Sequence, residues 1–234
     1  MEETTSKEQM LKGIRNALIH KSEHPFPGVD LESSIYLPAT ESLDLTFAEE
    51  FISVKGQFVY CEDIQALVAN LRLMADERKW TKVFTFDTQL GKVLDAAGVN
   101  NSSKKEDFMD LKVAVTFCEY LVARLGSILM SSRQTAGRQL NIYSETHVVI
   151  AMSSQIVPDI KHAMKAIREK YSGRLPSLIS LVTGPSQTAG IESSLVVGGH
   201  GPREVFVFLV DDAPVPPKVD EVQGATKIDN PSIP

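Results

Sequence analysis

Short apolar segments alternate with helical segments from residue 46 onwards, and this alternation constrains the fold more than any other feature. Three strands are predicted in the first half, at residues 57–61, 83–86 and 112–117. Two amphipathic helices are predicted between them, at residues 64–74 and 87–98. Strands that alternate with helices form βαβ units, in which the sheet is parallel and covered on both faces. We therefore predict a three-layer α/β/α fold with a mainly parallel sheet.

The second half is richer in strands. They are predicted at residues 127–130, 147–151, 177–182 and 204–210. A helix is predicted at 159–171, and a short helix through Leu121 and Val122. The last strands are almost continuously apolar, which is typical of strands that are buried on both faces.

The ends of the chain differ from this central part. Ser6-x-x-Gln9 predicts a capping box that starts an amphipathic helix, and Thr46-x-x-Glu49 predicts the start of the next helix. We predict an N-terminal helix and extended segment at 1–45, an α/β domain at 46–212 and a Pro-rich tail at 213–234. The tail is expected to lie free or to act as an arm on a neighbouring copy, which would make a homo-oligomer.

Composition excludes several classes of function. The net charge of −6 argues against nucleic-acid binding, which depends on clustered Lys and Arg. No stretch approaches the ~20 apolar residues of a membrane span, and the N-terminus does not resemble a signal peptide. Cys61 and Cys118 form no CxxC motif, so we expect reduced thiols in a cytoplasmic protein. We expect no metal, iron–sulfur or dinucleotide site in this chain.

The segment from Thr183 to Glu192 is the most unusual local sequence. Small and hydroxyl-bearing residues follow an apolar strand, namely Gly184, Pro185, Ser186 and Thr188. Such residues allow a ligand to approach backbone N–H groups and supply donors for a carboxylate or phosphate. An ordinary turn has the same composition, so the residues leave both readings open. The spacing excludes a Walker A loop and a GxSxG nucleophile elbow.

Two further segments carry candidate binding groups. His200 lies in Gly198-Gly-His-Gly-Pro202, where it could donate to an anion, act as an acid or base, or simply pack in a turn. Arg133 and Arg138 flank a short segment that contains Gly137. Two guanidinium groups can clamp a carboxylate or phosphate, although surface arginines are commonly just solvated.

Together, Thr183–Glu192 and Gly199–Pro202 resemble the two motifs of the lactate-utilisation (LUD) family, specifically its small LutC-like members. The resemblance extends over residues 46–211 and is strongest after 120. It implies a fold related to the CoA-transferase and ribose-phosphate-isomerase group. It also implies a part in oxidising L-lactate to pyruvate, alongside partner proteins that carry iron–sulfur clusters.

The resemblance also implies which residues bind a small anionic ligand. These are Gly184, Pro185, Ser186, Thr188, Glu192, Arg138, His200 and Gly201, with His200 and Glu192 as the catalytic candidates. Gly190 stands where the family usually has Asp, and Arg124 and Leu125 replace a Glu and a Thr. A stand-alone CoA-transferase, isomerase or ligase of the same fold group, or a non-enzymatic scaffold subunit, remain alternatives.

Overall fold

The structure is a computed structural model that describes residues 5–19, 28, 41–104, 106, 111–134, 140–189, 195–197 and 201–212. The chain divides into two compact units, residues 1–38 and 39–234. In the first unit the described part is mainly one helix, α1 (Ser6–Ile19). The boundary at residue 46 remains a prediction, and the predicted tail lies outside the described residues.

The second unit contains the other described elements. Its helices are α2 (Leu43–Ser53), α3 (Ile64–Glu77), α4 (Thr88–Ala96), α5 (Leu140–Tyr143) and α6 (Ile160–Lys170). Its strands are β1 (Gln57–Cys61), β2 (Val83–Phe84), β3 (Asn101–Ser102), β4 (Val113–Phe117), β5 (Tyr120–Val122), β6 (Ser127–Ser131), β7 (Thr146–Met152), β8 (Ile156–Val157), β9 (Ile179–Val182), β10 (Gln187–Ala189), β11 (Leu195–Val197) and β12 (Glu204–Val210).

The predicted cap of α4 at Asp87 is confirmed, but both predicted capping boxes were wrong. The cap of α1 is Thr5, whose N–H donates to Glu8 Oε2 at 2.9 Å while Glu8 N–H donates to Thr5 Oγ1 at 3.4 Å. This box lies one residue before the predicted one, because two hydroxyl residues in a row make the pattern ambiguous and Glu8 supplies the charged acceptor. α2 begins at Leu43, so Thr46 lies inside the helix, where its hydroxyl donates to the carbonyl of Ser42 at 3.0 Å.

Within the described residues, six parallel strands form the main sheet, in the order β1-β12-β7-β4-β2-β3. β12 lies between β1 and β7, and its side chains alternate between two apolar environments. Phe206, Phe208 and Val210 pack in the core cluster that contains α3 and α4. Val205, Val207 and Leu209 pack in a second cluster on the opposite face, with α2, β5 and β6. The prediction of a largely parallel sheet covered on both faces is therefore confirmed.

The second face of the main sheet is covered by a smaller four-stranded sheet, in the order β8-β5-β6-β9. α6 packs on the far side of this small sheet through Ala163 and Ile167. This face of the main sheet is thus covered by a sheet and a helix, not by helices alone. The short helix predicted through Leu121 and Val122 was wrong, because these residues form β5, which pairs antiparallel with β6.

We predict that Gly126 is required for stability. It has φ +53, and a Cβ atom there would lie inside contact distance of the backbone of Glu50 and Phe51 in α2. Gly126→Ala should lower the free energy of unfolding by roughly 3 kcal/mol or more, because left-handed strain and backbone displacement add. Urea denaturation measures the change.

Gly173→Ala is the matched control for this prediction. Gly173 also has a positive φ, +77, but nothing lies within 4 Å of a Cβ atom placed there. Only the conformational penalty of about 1–2 kcal/mol should remain. Equal losses in the two variants would contradict the close approach of α2 to Gly126.

Candidate functional site

The described parts of the two loops singled out in the sequence, around Ser186 and Gly201, lie side by side. The N–H of Ser186 donates to the carbonyl of Pro202 at 2.8 Å. A Cβ atom on Gly201 would lie 3.1 Å from Ser186 Cβ, so the two backbones are in close contact. Gly184 has φ +76 and faces the carbonyl of Val54, which leaves no room for a side chain. These loops lie next to the amino ends of β1 and β12.

Three predicted site residues, Arg138, Glu192 and His200, lie outside the described residues, as does Gly190. Thr188 belongs to β10, which pairs antiparallel with β11, but its side chain is outside the description. The ligand-binding role of the two loops, with Pro185 between Gly184 and Ser186, therefore stays a prediction.

Arg133 lies at the opposite end of the small sheet from Ser186. β6 and β9 are antiparallel, with Ser131 opposite Ile179 and Ile128 opposite Val182. Arg133 follows the end of β6 where β9 begins, whereas Ser186 follows the end of β9. The structure therefore brings Ser186 and Gly201 together and separates both of them from Arg133.

Arg133 lines a pocket of about 440 Å³ at the carboxyl ends of β2, β4 and β7. The chain leaves β2 through α4 on one face of the main sheet and leaves β4 through β5 on the other face. Where neighbouring strands continue to opposite faces, a crevice opens at their carboxyl ends, and open α/β sheets bind ligands there. We call this cavity the switch-point pocket. Its described lining is Thr85, Asp87, Gln89, Val115, Thr116, Phe117, Cys118, Glu119, Arg133, Gln134, Met152, Gln155, Lys170 and Tyr171.

Glu119 is the buried charged group of this pocket, only 1% exposed. Its Oε1 accepts hydrogen bonds from Ser131 Oγ at 2.5 Å and from the Tyr171 hydroxyl at 2.7 Å. Its Oε2 accepts from Lys170 Nζ at 2.7 Å. Burial by itself would raise the pKa of Glu119, but the hydrogen bonds from Lys170, Ser131 and Tyr171 outweigh burial and lower it. Glu119 therefore remains an anion.

Two cations lie beside the ring of Tyr171. Arg133 Cζ is 5.4 Å from the ring centroid and Lys170 Nζ is 5.8 Å from it. The Arg133 backbone is held by its N–H, which donates to Ser131 Oγ at 3.1 Å. Although burial opposes it, the hydrogen bond to Glu119 raises the pKa of Lys170. Both side chains are thus charged donors at the mouth of the pocket, as anion binding requires.

The remaining titratable groups near the pocket are less suited to chemistry. Burial raises the pKa of the Cys118 thiol to about 12, so it is not an activated nucleophile. Asp87 is committed to capping α4, where its Oδ1 accepts from Gln89 N at 2.8 Å. His147 lies behind Thr116, whose Oγ1 is 2.9 Å from His147 Nε2, and burial lowers the pKa of His147 to about 4.

Sequence reasoning missed Glu119, Lys170 and Tyr171. Glu119 lies between two apolar segments of the sequence. Because a helix was predicted through Leu121, the position of Glu119 after the end of a buried strand was not recognised. Its partners Lys170 and Tyr171 are 51 and 52 residues away, and no local pattern connects them to Glu119.

These observations define an α/β protein with a ligand-sized pocket at the switch point of a parallel sheet. The model of the LUD domain family matches residues 4–210, and the chain belongs to this family. The family resemblance of the sequence is therefore confirmed.

Three curated relatives illustrate the similarity. Lactate utilization protein C of Bacillus licheniformis is 35% identical over 140 residues, covering 57% of this chain and 54% of the relative. Lactate utilization protein C of Bacillus subtilis is 36% identical over 117 residues, covering 49% and 48%. Uncharacterized protein YkgG of Escherichia coli is 33% identical over 119 residues, covering 50% of each. The chain thus spans about half the length of the curated relatives it matches.

A solved structure supports the fold. A DUF162 family protein from Deinococcus radiodurans superposes with a TM-score of 0.51 at 15% identity, covering 72% of this chain and 96% of that chain. Within the described ranges, no cluster of three or more His, Cys, Asp or Glu side chains is arranged to hold a metal ion. No helix in the described part of the chain has the length and apolar character needed to cross a membrane.

We predict that His147 makes stability depend on pH below neutrality. Its pKa falls from 6.5 to about 4 on folding, so below pH 6.5 the unfolded chain binds a proton that the folded chain does not. The contribution of His147 to the free energy of unfolding should therefore be constant above pH 7. It should fall by about 3 kcal/mol between pH 6.5 and pH 4. Urea denaturation across this range measures it.

His147→Gln should flatten this acid slope, although it lowers stability at pH 7. His162→Gln, at a histidine whose side chain is 55% exposed, is the control and should largely keep the wild-type slope. An unchanged slope in His147→Gln would show that carboxylates alone cause the loss.

Proposed function

We propose that this chain is a LutC-like component of lactate utilisation and that it binds a small carboxylate in the switch-point pocket. The relatives named lactate utilization protein C support the role. The observation that carries the binding proposal is the pair of cations, Arg133 and Lys170, that flank Tyr171 at the carboxyl edge of the sheet.

The charges of the pocket favour a small monoanion. Its described lining contains two acidic and two basic side chains, Asp87, Glu119, Arg133 and Lys170, so the formal charges cancel. Glu119 takes one donor of Lys170, which leaves two ammonium protons for a ligand, and Arg133 presents a planar fork of donors that matches a carboxylate. A polyphosphate would need an excess of positive charge that this lining lacks.

We further propose that the electron carriers belong to iron–sulfur partner proteins. The chain has only two cysteines, Cys61 and Cys118, and both are buried. Four thiolates are the usual requirement of an iron–sulfur cluster. Affinity purification of the tagged chain from its own host, grown on L-lactate, should therefore recover proteins with iron–sulfur absorbance.

Deletion of the gene tests the physiological role. The deletion strain should fail to grow with L-lactate as the carbon source and should grow normally on pyruvate, because the block precedes pyruvate. Normal growth on L-lactate, together with no co-purified partner, would overturn the proposal. A scaffold role would instead retain the partners and show no lactate binding by the purified chain.

We predict that Arg133→Met weakens L-lactate binding roughly tenfold or more, since a hydrogen bond to a charged group contributes about 1.5–3 kcal/mol. Isothermal titration calorimetry measures the Kd. Arg168→Met is the matched control, because Arg168 is an exposed cation on α6 that does not line the pocket. Equal effects of the two substitutions would indicate a general charge effect.

Ser186→Ala distinguishes the pocket from the loops predicted in the sequence. The substitution should leave the Kd for L-lactate unchanged, because Ser186 lies beyond the far end of β9 from Arg133. A large loss of binding in Ser186→Ala with none in Arg133→Met would move the ligand site to the loops.

A further inference from the structure

Three fixed donors occupy most of the acceptor sites of Glu119. Lys170, Ser131 and Tyr171 all donate to its two oxygens, at 2.7, 2.5 and 2.7 Å. A carboxylate offers only acceptors and an ammonium offers only donors. The direction of the contact between Glu119 and Lys170 is therefore fixed by chemistry, and the carboxylate likewise forces the hydroxyls of Ser131 and Tyr171 to donate.

This arrangement fixes the polarity of the Tyr171 hydroxyl. Its single proton points at Glu119, so its oxygen can only accept a hydrogen bond from anything else in the pocket. Burial and the hydrogen bond to Glu119 both raise the pKa of Tyr171, so the phenol keeps its proton at neutral pH. The donors that remain for a ligand's carboxylate come from Arg133 and Lys170, beside the same ring.

We infer that the switch-point pocket selects 2-hydroxy acids over the corresponding 2-oxo acids, and that Glu119 is the positioning residue that sets this preference. The inference rests on the proposed function, since it assumes that a small carboxylate binds beside Arg133 and Lys170. A ligand hydroxyl can donate to the Tyr171 oxygen, whereas a ketone oxygen facing it brings two acceptors together. Unpaired polar groups in a binding site are what discriminate such analogues.

Titration of the wild-type chain with L-lactate, pyruvate and propionate gives the first test. L-lactate should bind roughly three- to tenfold more tightly than pyruvate, the range expected of one neutral hydrogen bond. Propionate has no oxygen on the carbon next to its carboxylate. Its Kd should lie between those of L-lactate and pyruvate or near that of pyruvate. Binding of none of the three would overturn the proposed carboxylate site, whereas equal binding of L-lactate and pyruvate would overturn only the selectivity.

Tyr171→Phe should bring the ratio of the two Kd values close to one. Tyr60→Phe is a matched control, because Tyr60 also donates to a carboxylate, Asp211 at 3.1 Å, but lies outside the pocket lining. The control should keep the wild-type ratio. A ratio that survives in Tyr171→Phe would overturn the inference.

Glu119→Gln gives a sharper result, because it should invert the preference. Lys170 can only donate, so the amide oxygen of the glutamine must face Lys170 and its NH₂ group must face Ser131 and Tyr171. Tyr171 then accepts from the amide, and its own proton becomes available to the pocket. Pyruvate, which can accept that proton, should then bind as tightly as L-lactate or more tightly.

The ratio of affinities separates this effect from the change in charge. L-lactate and pyruvate carry the same charge, so the extra positive charge left by Glu119→Gln strengthens both equally and cancels in the ratio. Glu204→Gln, which removes a carboxylate paired with Arg78 outside the pocket, should leave the ratio unchanged. A wild-type ratio in folded Glu119→Gln would contradict the positioning role. If that variant does not fold, as circular dichroism would show, the result with Tyr171→Phe decides.

Discussion

The buried carboxylate of Glu119 is the interaction on which the site depends. It is 1% exposed, yet it remains charged because three donors surround it, one from β6 and two from the end of α6. Ser131 ends β6, and Lys170 and Tyr171 end α6, so Glu119 fastens the end of α6 to the small sheet. Losing Lys170 would leave this buried charge without its ion-pair partner, a penalty of several kcal/mol. The same contacts hold the groups that face the pocket.

The sheet determines where this network can act. β4 and β7 are parallel neighbours, so Glu119, which follows β4, and Met152, which ends β7, lie at the same edge of the sheet. Gln155 joins the two ends, since its side chain donates to the carbonyls of Cys118 and Glu119 and accepts from Met152 N–H. The small sheet then continues from β4 on one face while α4 continues from β2 on the other. The pocket is thus a consequence of strand order and needs no special loop.

The fold was predictable where the sequence carries long apolar runs, and the site was not. β12 could be identified because every residue from Val205 to Val210 is apolar and both faces of the strand are buried. β5 was missed because three residues are too few to show a period of two, and its partner β6 lies beyond a turn at Gly126. Ser186 and Gly201, which come from the two separate motifs, lie in contact, but that contact alone does not identify a ligand site. The contact of Glu119 with Lys170 depends on how α6 packs, and no local pattern encodes it.

The position of β12 also has a consequence for how the chain is made. β1 is an edge strand, and within the described sheet its neighbour is β12, with Gln57 opposite Phe206. During synthesis β1 leaves the ribosome long before β12. The apolar residues of β1 are therefore without their native partner strand during that interval. Pairings so distant in sequence form slowly, and exposed strand edges during that interval promote aggregation. This protein is therefore expected to complete the described sheet only after β12 has emerged from the ribosome.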